Sequence, residues 1–126
     1  DSFDAALWCM RQAECRAPLV LDFASDSNPG GGYKGEQCGT QEESLCRRSN
    51  LACHLEMLPY PLTTLGAAYC PDIVVFRETD DRKYELLPEP FWVACAASAL
   101  RCVDTGGDKL EQKQALFVRQ KLEMIL

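Results

Sequence analysis

The chain has 126 residues, 47% of them hydrophobic and 25% charged, a size and composition that fit one globular domain spanning 1–126 and exclude a fibrous or disordered polypeptide. A formal net charge of -6 with an isoelectric point near 4.7 excludes an affinity built from clustered Lys and Arg against a nucleic-acid backbone, so no direct DNA binding is expected. No apolar run approaches the roughly 18 to 20 residues needed to span a bilayer and no charged-then-apolar leader opens the chain, which predicts no membrane association and an intracellular setting, cytoplasmic or nuclear.

Asp1 or Ser2 can cap a first helix running to about Glu14, with Phe3, Leu7, Met10 and Ala6 on its apolar face, ended by Pro18. Leu19 to Ala24 reads as a short buried strand that ends in a loop, Ser25-Asp26-Ser27-Asn28-Pro29. Three glycines, Gly30, Gly31 and Gly32, follow; without Cβ atoms their backbone can take positive φ and bring N–H groups close to an anion. From Gln41 to about Met57, Leu45, Leu51, Ala52 and Leu55 predict a second helix with Thr40 as N-cap, stopped before Pro59. Tyr60 to Pro71 reads as a long loop. Ile73 to Arg77 predicts a strand paired with Tyr84 to Leu87 across Asp80-Asp81-Arg82-Lys83, and Phe91 to Ala97 a separate buried strand. Asp108 and Glu111 form a capping-box pattern opening a last helix that turns Leu110, Val118, Leu122 and Ile125 to a core. Strands alternating with helices predict an α/β layered domain.

The eight cysteines include no Cys-x-x-Cys pair, and His54 has no second ligand pair at zinc-like spacing, so no metal is expected. Cys95 lies in an apolar run, which predicts reduced, mostly buried thiols in a reducing compartment.

Three blocks carry a family resemblance. Asn28-Pro29-Gly30-Gly31-Gly32, then Gln41-Glu42-Glu43-Ser44-Leu45-Cys46-Arg47-Arg48-Ser49, then Tyr69-Cys70-Pro71-Asp72-Ile73-Val74-Val75-Phe76-Arg77 resemble, in this order, the microbial-type poly(ADP-ribose) glycohydrolase family. The resemblance implies a macrodomain-like fold, a three-layer α/β/α sandwich that binds ADP-ribose, and hydrolysis of ADP-ribosyl linkages, above all the ribose–ribose bond of poly(ADP-ribose) on modified proteins. It implies no cofactor. Carried over by position, Gly30, Gly31 and Gly32 resemble the diphosphate and distal-ribose loop, and Asn28 the residue that hydrogen-bonds that ribose. Glu43 is similar to the catalytic glutamate and Glu42 to the neighbour that positions the ribose hydroxyls; Gln41 joins the ADP-ribose contacts, and Asp1 matches the acid used against adenine. The family's Ala-Pro-Asn ending of the later strand stands here as Ala97-Ser98-Ala99. Members continue past the last helix into a Gly-Cys-Gly phosphate loop, so the resemblance implies a domain truncated at one or both ends.

Neighbouring helical residues point about 100° apart, so Glu42 and Glu43 are expected to divide their roles, one for chemistry and one for orientation. Read locally, several residues keep a second meaning. Thr40 and Glu43 also match a capping box, the glycines a tight turn, Arg47 and Arg48 a solvated helix face as much as a phosphate grip, and Tyr69, Phe76 and Trp92 strand positions as much as adenine platforms. The chain is also compatible with a non-catalytic ADP-ribose-binding module, or with a fragment whose exposed sheet edge pairs with another chain.

Overall fold

The computed structural model describes residues 1–12, 15–35, 39–100 and 112–125. Helix α1, Ser2–Gln12, starts where the Asp1 carboxylate accepts the N–H groups of Phe3 at 2.9 Å and Asp4 at 3.3 Å, an N-cap that satisfies donors the helix cannot. It buries Phe3 and Ala6. Strand β1, Leu19–Asp22, is followed by the glycine loop, helix α2, Gln41–Arg48, and helix α3, Leu51–Leu55. Strand β2, Ala68–Arg77, and strand β3, Leu86–Ala97, flank a short helical turn at Asp80–Arg82. Helix α4 covers Gln112–Ile125, so the Asp108 to Glu111 capping pattern and Leu110 lie outside the described residues.

The sheet order is β1-β3-β2. β1 runs parallel to β3, with Leu19 opposite Ala94 and Asp22 opposite Ala97, and β2 runs antiparallel to β3, with Cys70 opposite Cys95 and Val74 opposite Trp92. Because side chains alternate along a strand, Val20, Ile73, Val75, Phe91, Val93, Cys95 and Ala97 share the buried core with Phe3, Leu45, Cys46, Leu51 and Leu55 of the first three helices. The opposite face carries Leu19, Tyr69 and Trp92, all more than half exposed. The α/β class matches the expectation.

Four boundaries differ from the sequence reading. The single helix expected from Gln41 to Met57 is two, because Ser49 is extended (φ -146°, ψ -179°) and bridges to Val75. Its hydroxyl donates to Leu45 O at 2.7 Å and accepts from Leu51 N at 3.1 Å, while Asn50 exchanges bonds with Val74. The break lets the chain cover part of the outer edge of β2. The strand expected at Ile73 begins five residues earlier, since Pro71 and Asp72 sit in a bulge, Asp72 at φ +56°. Tyr84 is not in a strand but in a left-handed turn with Lys83, and β3 is continuous from Leu86 because Pro88 and Pro90 fall where the register against β2 shifts and no ladder N–H is required. In α4 Lys121 is buried and Leu122 half-exposed; the Lys121 ammonium donates to Ala99 O and to Thr64 O.

Candidate active site

The first turn of α2 buries two adjacent carboxylates. Glu42 and Glu43 are 3% and 5% exposed, and each is held by backbone N–H groups of the loop that follows β1. Ser25 N donates to Glu42 Oε2 at 2.8 Å and Gly30 N to Glu42 Oε1 at 3.1 Å, while Gly32 N donates to Glu43 Oε1 at 2.9 Å. The Thr40 hydroxyl donates to the other oxygen of Glu43. Consecutive turns make this possible: Gly31 N reaches Asn28 O at 2.9 Å, Tyr33 N reaches Gly30 O at 3.2 Å and Gly35 N reaches Gly32 O at 2.8 Å. Gly30 and Gly31 take φ of +74° and +56°, a region that side chains disfavour. A Cβ on Gly31 would overlap Glu43 Oε1 and come to 3.0 Å from Glu42 Oε2.

The Gly30 and Gly32 N–H groups therefore meet anions that are the protein's own carboxylates, and Gly31 N–H is taken by Asn28 O. Loop and acid pair form one hydrogen-bonded unit. Arg47 closes it from outside, donating to Tyr33 O at 3.0 Å and Gly35 O at 2.8 Å, so it is not on a solvated helix face. Thr40 is extended (φ -83°, ψ 170°) at the N-cap without a side-chain cap bond, and Glu43 turns to Gly32, so the pair does not form the capping box that Thr-x-x-Glu permits.

Gln41 points the other way. Its amide spans the open edge of β1, accepting from Phe23 N at 2.8 Å and donating to Leu21 O at 2.7 Å, and it also donates to Ser2 Oγ at 2.9 Å. It fixes the start of α2 to the end of β1. Asp1 stands with the other end of α2: besides capping α1 it accepts from Ser44 Oγ at 3.3 Å and from the Arg48 guanidinium. Arg48 is 1% exposed, bonds Asp4 Oδ1 at 2.8 Å and Arg77 O at 3.1 Å, and is as far from a solvated helix face as Arg47. Asn28 lies exposed at the mouth of the loop. Of the sequence-predicted residues, Glu42, Glu43 and Gly30 to Gly32 come together directly.

Sequence reading missed Asp22. It closes an apolar run, and two-residue alternation puts it on the same inward face as Val20. Asp22 is fully buried, and neither carboxylate oxygen has a hydrogen-bond partner among the described residues. Burial, with Glu42 and Glu43 nearby, pushes its pKa up to about 8, which favours the uncharged acid form. Burial also raises Glu42 above the ordinary carboxylate range, opposed by the Ser25 and Gly30 N–H groups and assisted by Glu43. The signal was available in one residue: an Asp inside a strand read as wholly buried.

A family described as the catalytic domain of microbial-type poly(ADP-ribose) glycohydrolase matches residues 1–78. The chain belongs to this family. Solved glycohydrolases resemble it in fold: the enzyme from Thermomonospora curvata at 28% identity with a TM-score of 0.82, over 98% of this chain and 47% of that one. The same enzyme bound to the inhibitor ADP-HPD gives 26% and 0.77, over 98% and 49%. The enzyme from Deinococcus radiodurans in complex with ADP-ribose gives 32% and 0.61, over 78% and 41%. The chain thus spans about half the length of these glycohydrolases. Comparison with curated proteins returns no match.

The family membership bears on the cysteines and the aromatics only as context. Among the described cysteines, Cys46, Cys70 and Cys95 are buried, Cys9 is half-buried, and Cys15 and Cys53 are exposed. Tyr69 and Trp92 lie on the open sheet face rather than in the core. His54 is half-buried on α3 within 3.4 Å of the Asn50 amide, away from the acid pair's hydrogen bonds. No described helix is long and apolar enough to cross a membrane.

Proposed function

We propose that the chain carries the catalytic half of a glycohydrolase that cleaves the ribose–ribose O-glycosidic bond of poly(ADP-ribose). The observation that carries this reading is the buried Glu43 carboxylate, aimed by Gly32 N–H and the Thr40 hydroxyl, beside a Glu42 fixed by two other N–H groups. A glycosidic bond at ribose breaks through an oxocarbenium-like state. Glu43 gives its proton to the departing ribose oxygen as the C–O bond breaks, and its carboxylate then takes a proton from the water that attacks the ribosyl carbon. Glu42, tied to the loop on both oxygens, orients the ribose hydroxyls. Asn28, Gly30, Gly31 and Gly32 contact ADP-ribose in this reading, while Gln41 and Asp1, engaged with Leu21, Phe23 and Ser2 and with Arg48 and Ser44, serve it by fixing the two ends of α2.

The solved relatives bound to ADP-ribose and to ADP-HPD support a nucleotide-sugar ligand. Release of ADP-ribose from labelled polymer, followed beside calorimetry with ADP-ribose, tests the proposal. Turnover that disappears in Glu43→Gln while binding persists supports it. Binding without turnover in the parent protein leaves an ADP-ribose-binding module instead.

A further inference from the structure

Two buried polar groups remain outside the roles above. Both Asp22 carboxylate oxygens and the Tyr60 hydroxyl are shut off from solvent and, among the described residues, satisfied by no protein group. They lie in one neighbourhood. Asp22 is within electrostatic reach of Glu42 and Glu43 on α2, and the Tyr60 hydroxyl is within reach of Glu42, Asp22, Cys46 and Cys70. Cys46 of α2, Cys70 of β2 and Cys95 of β3 are buried and each has Asp22 among its electrostatic neighbours. Buried hydroxyls and carboxyls in folded proteins find partners, and where protein supplies none, ordered water with two to four polar contacts does so.

We propose that Asp22 and Tyr60 enclose an internal water site that braces the buried side of Glu42. A carboxylic acid offers one O–H donor and acceptor oxygens, a phenol one donor and one acceptor, and a water two of each. Such a set closes a network: Tyr60 and Asp22 donate to the water, and the water donates to Asp22 and to a Glu42 oxygen. Ser25 N–H and Gly30 N–H each occupy one lone pair of Glu42, and every carboxylate oxygen has a second. Asp22 and Tyr60 are then positioning residues, acting on the ribose through Glu42. The arrangement needs Asp22 in its acid form, because a third carboxylate charge beside Glu42 and Glu43 would repel both them and an incoming diphosphate.

This inference rests on the glycohydrolase reading only for its consequence, so its test separates the two. A crystal structure of the protein that resolves solvent is expected to place a water within hydrogen-bond distance of Asp22 and Tyr60; a direct Asp22–Tyr60 bond with no solvent between them overturns it. Infrared spectra with isotope-labelled aspartate should show a neutral carboxyl band at pH 7 that fades around pH 8 and is missing in Asp22→Asn. In Tyr60→Phe the fading should move to higher pH, since loss of a donor disfavours the charged form. A band absent at pH 7, or unmoved in Tyr60→Phe, overturns the proposal, and the wild-type spectra and crystal decide if a variant fails to fold. ADP-ribose affinity measured by calorimetry should decline severalfold from pH 7 to 9 in the parent and stay level in Asp22→Asn; a decline that survives the substitution also overturns it. Absence of polymer hydrolysis would sink the glycohydrolase reading and leave these spectra untouched.

Discussion

Both ends of α2 bury charge, and they neutralise it differently. At the C-terminal end Arg48 is met by two carboxylates, Asp1 and Asp4, and by a carbonyl, so the buried cation is ion-paired within the fold. At the N-terminal end Glu42 and Glu43 receive N–H dipoles and one hydroxyl but no described ion pair. Dipoles hold a carboxylate in place without consuming its charge or its ability to exchange a proton. A buried pair that cancels is a structural device whose removal shows in stability, whereas aimed acids without a counter-charge are what general acid–base chemistry at a sugar needs. The contrast separates residues that a sequence motif lists side by side.

The sharpest way to break the contrast is to neutralise one end at a time. Glu43→Gln keeps size and the Gly32 bond but removes the titratable proton, so polymer turnover should fall by about 10²–10⁴-fold with ADP-ribose affinity within a few fold. Glu42→Gln should weaken binding and rate together, because the ribose is misplaced. Steady-state kinetics beside calorimetry read both. At the other end, Asp1→Asn combined with Asp4→Asn strands a guanidinium that is 1% exposed, and urea unfolding should record a loss of about 3–5 kcal/mol. Equal stability loss at both ends, with equal rate loss, would dissolve the distinction.

What could be read from sequence follows the same line. The glycine triplet and the paired acids were legible because a backbone that needs φ above zero and an acid in a first turn each leave a local mark. Gly30, Gly31 and Glu43 carry those marks. The roles of Arg48 and Gln41 were not legible, since their partners stand 47 and 20 residues away in the chain, at Asp1 and Leu21. Asp22 was hidden for another reason. Its pattern said buried strand and its chemistry said exposed, and only the packed core shows that burial won. The break at Ser49 likewise depends on Val75, a contact that helical periodicity does not contain.

A glycine substitution probes how tightly the loop and the acids are joined. Gly31→Ala places a methyl group against Glu43 Oε1 and holds φ at +56°. The carboxylate has to move, and a displacement of about 1 Å at a reacting group costs on the order of 10²-fold in rate. The backbone strain adds about 1–2 kcal/mol of instability. Gly39→Ala is the comparison, because nothing lies within 4 Å of the added atom; its stability should stay within about 0.5 kcal/mol of the parent. Parallel thermal melts and polymer assays distinguish the two. Similar rates for both would mean that the loop does not aim Glu43.

The smallest effect tests whether Thr40 belongs to the helix or to the acid. In a capping box, removing the side-chain oxygen costs about 1 kcal/mol of stability, because a helix N–H loses its acceptor. Here the Thr40 hydroxyl caps no helix N–H and donates to Glu43 Oε2. Thr40→Val should therefore change unfolding free energy by only a few tenths of a kcal/mol while polymer turnover drops several fold, since one of the two groups that aim the carboxylate is gone. A full capping penalty with turnover unchanged would return Thr40 to the structural end of the comparison and leave Gly32 as the sole guide of Glu43.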